Sequence, residues 1–237
     1  MKYAIIAAGE GSRLAQEGIE VPKPLVRIGG EAMIDRLIRI FNANGAEEIC
    51  IIVNRLHPQT EAHVRKLMDE GRGAPIRLIV KTTPGSMHSF NELAPYLADA
   101  PFCLTTVDTI FREDEFAEYI RAFRDSGADG MMAVTDYIDD ESPLYVATDG
   151  QLRITGFHDT DEGDRYISGG IYALTPPALH TLHRCMAEGQ LRMRAFQRGL
   201  VADGLQLRAW PFSKVLDVDH AGDIAKAETF LSTSGPR

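Results

Sequence analysis

The sequence predicts an α/β fold: a Rossmann-like three-layer α/β/α arrangement around a central, mostly parallel mixed sheet, with a small antiparallel insertion. Three observations carry this. Short, continuously apolar runs alternate with amphipathic helical stretches through the first half, as in a parallel sheet covered on both faces. A glycine-rich stretch, Gly9-Glu10-Gly11, follows the first apolar run directly. Asp149-Gly150 then separates two short β-like runs, a hairpin signal. A chain of 237 residues with 44% hydrophobic and 25% charged residues fits one domain over 1–232. The antiparallel segment covers about 138–172, and 233–237 form a tail.

Each element follows in order. KYAIIA at 2–7 is apolar and β-branched, hence a strand. Ile34, Leu37, Ile38 and Phe41 recur at i, i+3, i+4 and i+7, one face of a helix that ends at Asn44-Gly45. EICIIV is the second strand. Residues 59–70 read as a helix in which Glu61 and Arg65 pair one turn apart. IRLIV and FCLTTV are the next strands. Phe116, Tyr119, Ile120 and Phe123 mark another helical face, closed at Ser126-Gly127, and GMMAVT is a strand. LYVAT, LRITGF and ISGGIYAL supply the antiparallel segment. Helices follow at 177–187 and 192–202, then the strands LQLRAW and KVLDV, then a last helix from His220 to about Leu231.

Composition narrows the function. The net charge of −9 disfavours a nucleic-acid partner, which attracts clustered Lys and Arg. No apolar run approaches the ~18 residues of a membrane span. Gly9, Glu10 and Arg13 interrupt the first apolar run too early for a signal peptide. A cytoplasmic protein without a membrane partner is expected. Cys50, Cys103 and Cys185 have no metal spacing and read as ordinary thiols.

The glycine loop fails two standard phosphate patterns. Gly9 and Gly11 match the start of G-x-G-x-x-G, but Leu14 stands at the third glycine. The second strand ends in Asn54-Arg55, without the acid that a dinucleotide ribose needs. The P-loop pattern is absent too. Two cations sit beside the loop instead. Arg13 offers a planar fork of donors suited to phosphate. Lys23, in Pro22-Lys23-Pro24-Leu25, is a point charge on a proline-stiffened loop.

Ala7-Ala8-Gly9-Glu10-Gly11-Ser12-Arg13-Leu14 with Pro22-Lys23-Pro24-Leu25 resembles the nucleotidyltransferases, the sugar-1-phosphate pyrophosphorylases and their relatives. The resemblance implies transfer of NMP from an NTP to a phosphorylated acceptor, giving an NDP-acceptor and pyrophosphate. It implies that Arg13 and Lys23 are catalytic, and that Ala7, Ala8, Gly9, Gly11 and Ser12 hold nucleotide. Thr82, Gly85 and Ser86, in the loop after the third strand, would line the nucleobase side, although Ser86 also suits a helix cap. The Gln that relatives carry there is missing, which leaves the base open. Asp108, ending an apolar strand, would bind Mg²⁺ together with Asp219; Asp217 is the alternate on the same strand face. Ser168, Gly169 and Gly170 would contact the acceptor. Arg165 would stand in for an acceptor-phosphate lysine that this chain lacks.

Acceptor phosphate is already a nucleophile at neutral pH, so alignment and charge neutralisation supply the rate and no base is required. His88 and His220 lie near the expected site without a demanded role. The acceptor is a sugar-1-phosphate by default, with phosphocholine or another phospho-alcohol as the alternative. Asp217-Val218-Asp219 also spells the D-x-D of metal-dependent glycosyltransferases. Whether the chain forms a homo-oligomer is left open.

Overall fold

A computed structural model describes residues 1–139 and 142–233. The expected tail is thus described only at Thr233, and Asp140 and Glu141 of the antiparallel segment lie outside the described residues. The strands are β1 (Lys2–Ala7), β2 (Arg27–Ile28), β3 (Glu31–Ala32), β4 (Ile49–Val53), β5 (Ile76–Val80), β6 (Phe102–Thr106) and β7 (Thr109–Ile110). They continue as β8 (Gly130–Thr135), β9 (Tyr145–Thr148), β10 (Ile154–His158), β11 (Tyr166–Leu174), β12 (Leu207–Pro211) and β13 (Leu216–Asp217). The helices are α1 (Ser12–Gln16), α2 (Met33–Ala43), α3 (Pro58–Glu70) and α4 (Ser86–Leu93). After them come α5 (Glu113–Ser126), α6 (Ala178–Ala187), α7 (Met193–Ala202) and α8 (Ala221–Ser232).

Among the described residues, nine strands form one sheet. Strands β5, β4, β1 and β6 lie side by side and run parallel. Alternation along β1 divides the core between two faces. Tyr3, Ile5 and Ala7 pack with residues of α2, α5 and α8. Ala4 and Ile6 pack with residues of α4, α6 and α7. Those are the three layers the sequence predicts. The expected helical faces are buried: Ile34, Leu37, Ile38 and Phe41 on α2, and Phe116, Tyr119, Ile120 and Phe123 on α5.

Strand β11 turns the parallel sheet into a mixed one. It runs antiparallel to β6 on one edge and to β8 on the other, and β12 continues the sheet beyond β8 in parallel. The antiparallel segment is therefore continuous with the main sheet. The second half of β11 pairs with β6, whereas Tyr166 and Ile167 pair with β9. This register sets the β9–β10 hairpin beyond the C-terminal end of β6. The β11–β8 register shifts between Ser168 and Tyr172, and Gly170 takes φ +70° there, a conformation that favours glycine.

Two features of this topology position a site. The chain leaves β1 toward β4 and β5 on one side, and returns as β6 on the other. Ligands bind outside the carboxyl ends of strands at such a switch point. The two-residue ladder of β7 with β13 sets Leu216 opposite Ile110 and Asp217 opposite Thr109. The Val218 amide then donates to the Asp108 carbonyl at 3.1 Å. Chain segments from the middle and the far end of the sequence thereby meet beside the end of β6.

Candidate active site

A cavity of about 380 Å³ opens at this switch point. Its walls come from the loop after β1, from Lys23 and Pro24, from the stretch Thr83 to Ser86, from the end of β6 and from Asp219. Ala7, Ala8, Gly9, Gly11, Ser12, Arg13, Lys23, Gly85, Ser86, Asp108 and Asp219, all named from the sequence, line it.

The glycine loop has a geometric reason for its composition. Gly11 adopts φ +64°, and a Cβ there would lie 3.1 Å from Lys23 Cβ. Glycine therefore both relieves strain and lets the Lys23 backbone approach. Lys23 begins a single 3₁₀ turn, Lys23–Leu25, entered by Pro22. From it the side chain reaches inward, nearly buried, and its ammonium contacts both Asp108 Oδ2 and Asp219 Oδ1, the latter at 2.7 Å. Burial alone would lower the Lys23 pKa, but the charges and hydrogen bonds of Asp108 and Asp219 outweigh it and hold it above the ordinary value. Arg13 is more exposed and donates from Nη1 to Asp219 Oδ2 at 3.2 Å.

The two candidate metal aspartates differ. Asp219 lines the cavity; Asp217 does not. Asp217 is open to water on one side yet ringed by protein. That partial desolvation and the like charges of Asp108 and Asp219 push its carboxyl above the ordinary carboxylate range. Asp219 is also not consumed in capping α8. The N-cap is His220, and Asp223 Oδ2 accepts from the backbone amides of both Asp219 and His220.

Asp108 and Asp219 fit a hard divalent cation. Asp108 Oδ1 is buried and has no hydrogen-bond partner, an arrangement that favours a cation or water beside it. Among the described residues, no three His, Cys, Asp or Glu side chains converge closely enough to hold a metal by themselves. Mg²⁺ is commonly held by one or two carboxylates, with water and substrate phosphate completing the shell.

Other expected residues fall elsewhere. Thr82 is exposed and off the cavity, donating to Asn54 Oδ1 at 2.7 Å; its neighbour Thr83 takes the place on the wall. Ser86 is the first residue of α4, and Gly85 is the N-cap in extended backbone, so no side chain caps this helix. A Cβ at Gly85 would lie 3.2 Å from the Leu191 carbonyl, so the glycine admits the α6–α7 connection there. Ser168, Gly169 and Gly170 flank the end of β6 without lining the cavity. Ser168 Oγ donates to the buried Gln197 at 2.9 Å. Arg165 is exposed, pairs with Asp136 at 3.2 Å and lies over the Tyr166 ring. His88 is half-buried away from the cavity, with Nδ1 unpaired.

Several contributors carry little local signal. Asn54, buried after β4, donates to the Ala8 carbonyl at 3.0 Å and accepts from the Leu56 amide and Thr82. It braces the glycine loop where a dinucleotide fold would present a ribose acid. Thr83 and Ser89 join hydroxyls at 2.6 Å on the cavity wall; the step of one helical turn from Gly85 to Ser89 would have located the latter. Glu17 reaches across to α8, meeting His220 Nδ1 and the Ala221 amide, each at 2.6 Å.

Comparison with known proteins follows this geometry. A bifunctional IPC transferase and DIPP synthase of Rubrobacter xylanophilus is 26% identical over 96% of this chain and 51% of its own length. A mannose-1-phosphate guanyltransferase of Yarrowia lipolytica is 29% identical over 74% of the chain and 50% of its length. The chain thus spans about half the length of these two relatives. A UTP–glucose-1-phosphate uridylyltransferase of Haloferax volcanii is 24% identical over 98% of the chain and 96% of its length. The solved inositol-1-phosphate CTP transferase of T. maritima superposes with a TM-score of 0.79 at 17% identity, over 98% of both chains. A putative glucose-1-phosphate thymidylyltransferase of Bacillus anthracis reaches 0.85 at 18% identity, over 100% of this chain and 98% of that one. Both likenesses confirm the fold. Among the described residues no helix is long and apolar enough to cross a membrane. The family model described as the MobA-like NTP transferase domain matches residues 3–182, most of the sheet and the whole glycine loop, and the chain belongs to that family.

Proposed function

We propose that this protein transfers NMP from an NTP to a phosphorylated small molecule, a sugar-1-phosphate by preference, releasing pyrophosphate and an NDP-sugar. One observation carries the reading: Arg13, Lys23, Asp108 and Asp219 converge on the cavity that the glycine loop lines. Family membership and the sugar-phosphate chemistry in the names of the relatives support it.

In this reading an acceptor phosphate oxygen attacks the α-phosphorus of the NTP. The new P–O bond forms as the bond to the β-phosphate oxygen breaks, and the electron pair leaves on pyrophosphate. Arg13, exposed at the mouth, holds the leaving phosphates with its fork. Lys23, sunk deeper, neutralises charge at the α-phosphate and the incoming oxygen, where preorganised charge has most effect. The loop from Ala8 to Ser12 sets the phosphate register by close backbone approach. Mg²⁺ held by Asp108 and Asp219 would supply further neutralisation of phosphate charge. Asp217, off the cavity wall, is spared that task. Gly85, Ser86 and Thr83 flank the base. Ser168 to Gly170, beyond the end of β6, face the acceptor side. The protein acts in the cytoplasm.

A pyrophosphate-release screen tests this, crossing the common NTPs with sugar-1-phosphates, inositol-1-phosphate and phosphocholine in the presence of Mg²⁺. Release with at least one ring phosphate is expected, and silence across the whole panel sinks the reading. Lys23→Ala should lower turnover on the order of 10²-fold or more, the cost of one preorganised contact in a transition state. A folded variant with wild-type release would remove Lys23 from the mechanism.

A further inference from the structure

Lys23 is bonded to one oxygen of each carboxylate proposed for the metal. Its ammonium contacts Asp108 Oδ2 and lies 2.7 Å from Asp219 Oδ1. Only 12% of the Lys23 side chain and 19% of the Asp108 side chain are exposed, so water screens this contact poorly. Asp108 Oδ1, the remaining oxygen of that carboxylate, is buried and unpaired. Arg13 holds only the outer oxygen of Asp219, from an exposed position.

A compact ammonium and a small divalent cation make similar demands. Each sits close to anionic oxygens, and each repels the other strongly at short range in a weakly screened site. Both cannot occupy the space between Asp108 and Asp219. Resting on the reading above that these two carboxylates are the metal pair, we infer that Lys23 is the internal counterion of the metal site, so that metal and Lys23 compete for Asp108 and Asp219. Nucleotide phosphate resolves the competition by giving the displaced ammonium a new anion. Metal and nucleotide then favour each other's binding reciprocally, as linkage demands. Free metal without nucleotide is held weakly, which keeps the carboxylates from trapping an unproductive ion.

The test uses the full chain without nucleotide, with Mn²⁺ binding followed by electron paramagnetic resonance of the free aquo ion. Lys23→Met should bind Mn²⁺ about tenfold or more tightly than wild type, the scale of one close charge removed. Adding Asp108→Asn to that variant should abolish the gain. Arg13→Met removes a charge of the same sign nearby and should shift affinity by less than about threefold, since it is more exposed and screened. An unchanged affinity in Lys23→Met overturns the inference, and so does an equal gain in Arg13→Met. A second readout keeps wild type as the sample, in case Lys23→Met does not fold. Saturating Mn²⁺ should raise reductive methylation of Lys23, read by mass spectrometry, relative to the exposed Lys66. Methylation that ignores Mn²⁺ also overturns it. Pyrophosphate release by wild type with unaltered Mn²⁺ affinity in Lys23→Met would sink the competition and leave the transfer reading standing. Tighter Mn²⁺ binding without release from any substrate pair would do the reverse.

Discussion

Asp217 and Asp219 share a strand face in the sequence yet meet different surroundings. Asp219 extends past the end of β13 into the cavity and faces two cations, whereas Asp217 is still paired opposite Thr109 and faces like charges. Alternation along the strand could place both on one side but could not say where the strand ends, and that end sets which of them lines the cavity. The difference is measurable. Asp219→Asn should raise the Mg²⁺ concentration for half-maximal pyrophosphate release at least tenfold, since even outer partners of a metal cost on the order of 10–100-fold. Asp217→Asn should change it by less than about threefold. Equal shifts in both variants would return Asp217 to the metal. Gly11 was legible for a similar local reason: a left-handed turn and a close neighbour both call for glycine. Thr82 lies off the cavity that its chain neighbour Thr83 lines.

Elements with a clear period were legible in full. The face of α2 at Ile34, Leu37, Ile38 and Phe41 is buried to the last residue, and so is that of α5. The hairpin at Asp149-Gly150 joins β9 to β10 as expected, through a longer turn in which Leu152 takes φ +59°. Contacts between distant short elements were not legible, because two residues have no period. The β7–β13 ladder is one such case. The link from α1 to α8 through Glu17 and His220 is another. A hydrogen bond donated to Glu17 holds the His220 pKa above its ordinary value, and the same bond, with one from the Ala221 amide, holds Glu17 below its own. A raised histidine stabilises the fold fully below its unfolded value and loses that contribution as pH rises through the folded value; a lowered glutamate loses its contribution as pH falls. The melting-temperature gap between wild type and Glu17→Gln should therefore be widest near pH 6, between the two unfolded values of about 4.3 and 6.5, and narrower by about pH 9. A gap that stays constant across that range would show that the pair carries no charge-dependent stabilisation.

At the scale of the molecule, one buried hydroxyl joins the helical layer to the mixed sheet. Tyr119 Oη on α5 donates to the Met131 carbonyl at 2.6 Å and accepts from the Ala173 amide at 2.7 Å. Met131 and Ala173 are register partners of β8 and β11, so the phenol braces their ladder. Burial pushes its pKa well up, which keeps it a donor. Tyr119→Phe removes both bonds to buried backbone groups and should cost about 1–3 kcal/mol. That loss would lower the urea midpoint without changing the slope. An unmoved midpoint would show that the ladder holds these strands unaided.

The two-residue ladder of β7 and β13 has a consequence in time. Lys23 and Asp219 are 196 positions apart, and Asp219 lies beyond the stretch matched by the family model. While the chain is being synthesised, the glycine loop and most of the sheet are made long before Asp219 emerges. The nascent protein therefore passes through a stage with a nearly complete sheet but an incomplete charged cluster. Arrival of the last short strand brings Asp219 to Lys23 and Arg13, so assembly of that cluster reports that the chain has folded through β13.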